Sequence, residues 1–235
     1  MMITICVLQV PEVLPEAYWN HFLSQVSAER REQASRFMHQ ADAYRSVLGE
    51  VLTRVTVSKF TGLAPAELSF TRNSYGKPSL IHHSNVPFNV SHSGDWIALI
   101  SGGVAELGVD VEKIAPIEMQ IAERFFSPME SQFLATEPAE RQRETFYRLW
   151  TLKESYIKAV GMGLSMPLNS FAILPDERGD WRCEQAEEHR FHSQRLDDQH
   201  MLAACSAGGD LPSQPEIVTL EDLYSQLKHR GSLGY

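Results

Sequence analysis

Cysteine is nearly absent from this chain: Cys6, Cys183 and Cys205 are the only three in 235 residues. An odd number at no metal-like spacing excludes a disulfide framework and a cysteine knuckle, so they read as small buried apolar residues. Positive charge is also short, with 21 Lys and Arg against 30 Asp and Glu and a formal net charge of −9. That balance excludes a protein that coats nucleic acid, because tracking a phosphate backbone needs a broad basic face. No run approaches the ~20 consecutive apolar residues that cross a bilayer. The start, MMITICVLQVPEVL, is apolar for only a few residues and has no basic lead. The expectation is a cytoplasmic protein with no membrane and no nucleic-acid partner. Low-complexity linkers are missing as well. What remains, with 43% apolar residues, is enough for a core, as one large domain or two of roughly 100 residues each.

The most informative stretch is FYRLWTLKESYIKAVGMGL, Phe146 to Leu164. Helical periodicity puts Trp150, Glu154, Ile157, Lys158 and Gly161 on or beside one face, so a carboxylate and an ammonium stand one turn apart. Leu149, Leu152, Tyr156 and Val160 supply the buried perimeter. Glu followed by Lys four residues later is also the common surface ion pair of any helix, so partners elsewhere in the chain decide its meaning. The second stretch is Gly108-Val109-Asp110-Val111-Glu112. Alternation along a strand turns Asp110 and Glu112 to one side and Val109 and Val111 to the core. Two like charges so close repel, and strand packing does not call for them; a hard divalent cation does.

Around these lie the framework elements. Ile3 to Val10 reads as a strand, Pro15 to Val26 as a helix burying Trp19, Phe22, Leu23 and Val26, and Ser27 to Phe37 as a charged helix. Ala41 to Thr61 is a core helix closed by Gly62, with Arg45 near its start. Leu68 to Arg72 and Pro78 to Ile81 form a hairpin around Asn73-Ser74-Tyr75-Gly76, and Lys77 follows that turn directly, placed to meet an anion beside backbone amides. PFNVSHSGDWIALISGG followed by LGVDVE reads as a three-stranded antiparallel meander, with Ser91, His92, Ser93 and Gly94 as a phosphate cradle at a strand end. Ile117 to Phe126 is expected to be helical. Ser127 opens a capping box with Glu130, three or four strands follow Leu164, and LEDLYSQLKH is a final amphipathic helix. Ala34 to Met38 faintly echoes Ala122 to Phe126. The fold class expected is α+β, two similar halves with antiparallel sheets and packed helices, divided as 1–103 and 104–235, with the site at the seam.

The blocks RFMHQADAYRSVLGEVL, YGKP, FNVSHSG, GVDVEKI, RFFSPME and WTLKESYIKAVGMGLS, taken in order, resemble the 4′-phosphopantetheinyl transferases of the surfactin-synthetase-activating (Sfp) type. The resemblance spans about Ser27 to Leu168. It implies a pseudo-twofold pair of α+β halves with coenzyme A held between them. It also implies transfer of 4′-phosphopantetheine to a serine of an apo acyl or peptidyl carrier protein, releasing adenosine 3′,5′-bisphosphate. By the same resemblance Asp110, Glu112 and Glu154 match magnesium ligands, with manganese an alternative, and Glu154 and Lys158 are the catalytic pair. Arg30, Arg45, Lys77, Ser91, His92, Asp110 and Lys158 match the coenzyme A site. One departure stands out: the family's first charged helix often carries two basic residues, and Gln33 stands where the second is expected. A monomer is implied, because the two halves build the site internally. A metal-dependent phosphate-ester hydrolase could use the same carboxylates without an acceptor. A non-catalytic coenzyme A-binding module would keep Arg45, Lys77 and His92 and have no use for Glu154.

Overall fold

The structure, a computed structural model, describes residues 2–103 and 106–231, with side chains as far as Lys228. The expected division between 103 and 104 therefore meets residues outside those described. Strand β1 (Thr4–Gln9) leads into helices α1 (Glu16–Gln25), α2 (Ala28–Ala34) and α3 (Gln40–Thr61). A hairpin of β2 (Phe70–Arg72) and β3 (Pro78–Leu80) follows, then β4 (Phe88–Ser93), β5 (Trp96–Ser101) and β6 (Leu107–Lys113). Next come α4 (Ile121–Phe125), α5 (Pro128–Thr136) and the long α6 (Ala139–Val160). The chain closes with β7 (Ile173–Pro175), β8 (Trp181–Cys183), β9 (His189–Arg195), β10 (His200–Ala207), β11 (Glu216–Ile217) and α7 (Leu220–Gly231).

The two 22-residue helices end where glycine permits a left-handed residue: Gly62 (φ 75°) donates its N–H to Ser58 and Gly161 (φ 81°) to Ile157. Strands β11-β1-β5-β4 form one sheet, antiparallel except for β11, which runs parallel to β1; β6-β10-β9 form a second, fully antiparallel sheet. Alternation along the strands sets the layers. Ile5 and Val7 of β1 and Ala98 and Ile100 of β5 meet Val109 and Val111 of β6 and Leu202 and Ala204 of β10 in a shared core. The opposite side chains, Cys6, Leu8, Ile97 and Leu99, pack on Val47, Leu48, Val51 and Leu52 of α3. Ala203 and Cys205 pack on Leu152, Tyr156 and Ile157 of α6. The order is thus helix, sheet, sheet, helix, an α+β architecture as expected.

Two expectations change, and one strand pairing is additional. Strand β6 does not continue a meander from β5; it pairs with β10 in the other sheet, because the Leu202 and Ala204 face offers the apolar partner that Val109 and Val111 need. The helix expected over Ile117 to Phe126 begins only at Ile121; Pro116 follows a segment still held by the Ile114 N–H on the Gln199 carbonyl. The last segment returns to the beginning of the chain: β11 lies on β1, and Val218, Leu223 and Leu227 enter the core around α3.

Candidate active site

Strands β4 and β6 belong to different sheets yet run side by side, and side chains join them. Asn89, Ser91 and Ser93 alternate along one face of β4. Asn89 Oδ1 accepts the Val109 N–H at 2.9 Å, Ser91 Oγ donates to Asp110 Oδ1 at 2.8 Å, and Ser93 Oγ donates to Glu112 Oε2 at 2.8 Å while accepting the Lys113 N–H at 3.0 Å. Short polar side chains satisfy strand amides that a backbone ladder would otherwise serve, and they fix both acids. Helix α6 approaches β6 closely: a Cβ on Gly108 would stand 1.9 Å from the Ser155 carbonyl oxygen. Only glycine allows that approach, which brings Lys158 onto the strand. Its Nζ donates to Asp110 Oδ1 at 2.5 Å and to Ser91 Oγ at 2.9 Å. The ammonium therefore pairs with the strand acid rather than with Glu154 one turn back.

Asp110 is 2% exposed, and its other oxygen, Oδ2, is buried with no hydrogen-bond partner. Glu154, in the same cleft, has its pKa pushed up to about 7, first by burial and then by the Asp110 charge, with Lys158 opposing and Glu112 adding to the rise. Burial and Asp110 also raise Glu112, against the Ser93 hydrogen bond and the Lys158 charge. Burial would lower Lys158, but contact with Asp110 and the charges of Glu154 and Glu112 outweigh it and raise its pKa. Of these acids, Glu154 is the one brought to neutral pH. Among the described residues no three His, Cys, Asp or Glu side chains are gathered closely enough to enclose a metal ion.

The facing wall comes from α2, α3 and the end of β4. Arg45 donates from Nη1 to the Gly94 carbonyl at 2.7 Å and from Nη2 to Asp42 at 2.5 Å. His92, exposed to the cleft, has its pKa lowered by the protein around it and by the nearby Arg45 and Lys158 cations. Arg30 donates to Glu50 at 3.0 Å and to Gln33 and Ser46 at 2.9 Å each. Glu50 also accepts from the Ser27 N–H and from Arg54; burial would raise its pKa, and these donors bring it down. Both walls line one cleft of about 890 Å³, which holds Arg30, Arg45, Ser91, His92, Asp110, Glu112, Glu154 and Lys158.

Lys77 is placed differently from the sequence expectation. Its ammonium donates to the carbonyls of Ala159 at 2.7 Å and Leu107 at 3.2 Å, and it does not line the cleft. Asn73 Nδ2 adds a bond to the Gly161 carbonyl at 3.0 Å. The β2–β3 turn therefore caps the C-terminal end of α6, where carbonyls lack helical partners and a cation suits the dipole. Sequence reasoning missed Glu50 and Arg54, which organise the arginine wall. Their i,i+4 spacing was the available signal, and it is shared by surface ion pairs everywhere.

A neutral-pH carboxyl beside a lysine-paired acid, facing arginines across one cleft of an α+β protein, suits an enzyme that moves a proton while gripping a phosphate-bearing substrate. Comparison with known proteins makes this specific. Residues 15–103 match the family model "4′-phosphopantetheinyl transferase, N-terminal" and residues 106–210 the model "4′-phosphopantetheinyl transferase superfamily". The chain is 39% identical over 207 residues to 4′-phosphopantetheinyl transferase ffp of Bacillus subtilis, covering 87% of this chain and 92% of that one. It is 37% identical over 205 residues to 4′-phosphopantetheinyl transferase Sfp of Bacillus subtilis strain 168, covering 86% and 91%. A looser likeness, TM-score 0.39 and 22% identity over 45% of this chain and 96% of the other, is to a holo-(acyl-carrier-protein) synthase of Bacillus anthracis in complex with CoA (3′,5′-ADP). The chain belongs to the 4′-phosphopantetheinyl transferase superfamily.

Proposed function

We propose that this enzyme transfers 4′-phosphopantetheine from coenzyme A to a serine hydroxyl of an apo acyl or peptidyl carrier protein and releases adenosine 3′,5′-bisphosphate. The serine oxygen forms a bond to the phosphorus that carries pantetheine, the bond from that phosphorus to the bridging oxygen breaks, and adenosine 3′,5′-bisphosphate leaves with the electron pair. Glu154 accepts the serine proton. The observation that carries this reading is a carboxyl poised at about pH 7 in the cleft that also holds Arg45 and the Asp110–Lys158 pair. Lys158, freed from Asp110 by the substrate's charge, offsets the negative charge that grows on the transferring phosphoryl oxygens. Arg45, His92 and Ser91 grip the phosphates of coenzyme A, and Arg30 lines the same wall.

The carboxylates fit a hard divalent cation. Asp110 Oδ2 is a buried acceptor without a partner, the donors are all oxygen, and Glu112 and Glu154 share the cleft. Magnesium keeps several waters and takes substrate phosphate oxygens, so it needs no closed protein cage. Asp110, Glu112 and Glu154 would hold Mg²⁺, or Mn²⁺ in its place, and the ion would supply charge neutralisation at the pyrophosphate.

Carrier docking falls to the turn after α6, where Leu164 is 74% exposed while Met166 packs inward. A cytoplasmic monomer belongs to the same reading. Both walls of the cleft come from one chain, and no helix among the described residues is long and apolar enough to cross a membrane. The test is intact-mass spectrometry of a panel of apo carrier proteins incubated with this enzyme, coenzyme A and Mg²⁺. A gain of one phosphopantetheine group on a carrier, abolished by EDTA, is expected. Coenzyme A cleavage with no gain on any carrier would overturn the reading in favour of a hydrolase.

A further inference from the structure

Beneath the β4–β5 turn lies a histidine for which the transfer chemistry has no use. His200, the first residue of β10, is 2% exposed. Its Nδ1 lies 2.9 and 3.0 Å from the two carboxylate oxygens of Asp197, while its Nε2, 3.2 Å from Asp95 Oδ1, makes no hydrogen bond. The two acids are held in turn: Trp96 Nε1 donates to Asp197 at 2.8 Å and Gln9 Nε2 to Asp95 at 2.9 Å. The fit over the ring is tight. A Cβ on Gly94 would stand 2.4 Å from His200 Nε2, and Gly94 has φ 57°, so only glycine serves there.

What the turn does is visible on its other side. The Gly94 carbonyl accepts the 2.7 Å hydrogen bond from Arg45, and the two residues before Gly94 are His92 and Ser93, of which Ser93 holds Glu112. The imidazole thus comes from the second sheet and fixes a turn of the first, and that turn aims a guanidinium and an imidazole into the cleft. A buried polar ring costs desolvation unless its partners are well placed; here Nδ1 is satisfied by Asp197 while Nε2 carries that cost beneath the turn.

We propose that His200, clamped between Asp197 and Asp95, is a positioning residue that sets the alignment of Arg45 and His92 and so determines how well the enzyme distinguishes a ligand carrying a terminal phosphate monoester from one lacking it. The inference rests on the coenzyme A reading of the cleft and deepens it. Neither His200 nor Asp95 touches the reacting atoms, so their loss acts on binding of the nucleotide end rather than on the chemical step.

The experiment compares coenzyme A with 3′-dephospho-coenzyme A as substrates for the wild type, His200→Gln and Asp95→Asn. Asp95 is 44% exposed, so its variant folds even where His200→Gln is weakened. The expected result is that KM for coenzyme A rises about tenfold in both variants while KM for the dephospho form and kcat at saturation hold, so discrimination collapses. Arg45→Ala should add little in the His200→Gln background, as expected of residues acting through one contact. A lowered melting temperature with wild-type discrimination in both variants would overturn the inference and reduce His200 to a packing role. A wild type that uses both substrates equally would overturn it too. Failure of the wild type to use either would instead strike the transferase reading on which the inference stands.

Discussion

At the scale of single residues, the site is a compromise between folding and function, and Glu154 carries it. Its folded pKa of about 7 lies above the ordinary carboxyl value of 4.5, so the folded state binds the proton more tightly than the unfolded chain. The stability this confers is complete below about pH 4.5 and is lost as pH rises through 7. Glu154→Gln, which keeps the shape and removes the charge, should therefore raise the thermal midpoint relative to wild type at pH 8. The gain should be about 1–2 kcal/mol once the open side of the cleft is allowed for. At pH 4 the two proteins should melt alike, and a difference independent of pH in calorimetric scans would contradict the assignment. The four groups at the seam were legible because spacing alone separates Asp110 and Glu112 from the core and puts Glu154 and Lys158 one turn apart. That Lys158 chooses Asp110 was not legible, since the choice depends on how closely α6 approaches β6. Lys77 was misplaced for the same kind of reason: the carbonyls of Leu107 and Ala159 that hold it lie 30 and 82 positions away in the chain.

At the scale of elements, α6 is the part on which the site depends, and it is fixed at three points. Gly108 allows β6 to touch it, Lys77 and Asn73 cap its end, and Lys153, fully buried, donates to both oxygens of Glu130 at 2.7 and 2.6 Å and to the Phe171 carbonyl at 2.7 Å. Lys153→Met would leave the Glu130 charge buried and unpaired, a loss of about 3–5 kcal/mol, readable by urea denaturation; a loss under 1 kcal/mol would show that Glu130 finds another partner. Gly108→Ala should separate α6 from β6 and reduce transfer along with stability. Loss of stability without loss of transfer would show that the close approach does not position Lys158. The caps of both long helices and the Ser127–Glu130 box could be read directly from glycine and capping chemistry. Which sheet β6 would join could not, because an alternating strand with two valines fits either face, and β11 is only two residues long.

At the scale of the whole molecule, the two sheets share a core, the cleft opens where β4 and β6 adjoin, and β11 and α7 return to pack on β1 and α3. The match to the superfamily model ends at residue 210, whereas Val218, Leu223 and Leu227 are buried around α3. Removing residues 214–235 should cost stability, at about 1.5–3 kcal/mol for each buried leucine exposed, while leaving transfer intact below the lowered melting point. An unchanged melting temperature would mean that the tail does not close this core.

The proposed mechanism separates gripping from chemistry: Arg30, Arg45 and His92 would hold coenzyme A, and the acids at the seam would move the proton. The measurement that bears on this most directly uses one preparation of Glu154→Gln, with coenzyme A affinity read by calorimetry and transfer to an apo carrier read by intact mass. The account predicts affinity close to wild type and transfer slower by about 10²- to 10⁴-fold. Loss of affinity in the same proportion as loss of transfer would contradict it and make Glu154 a binding residue.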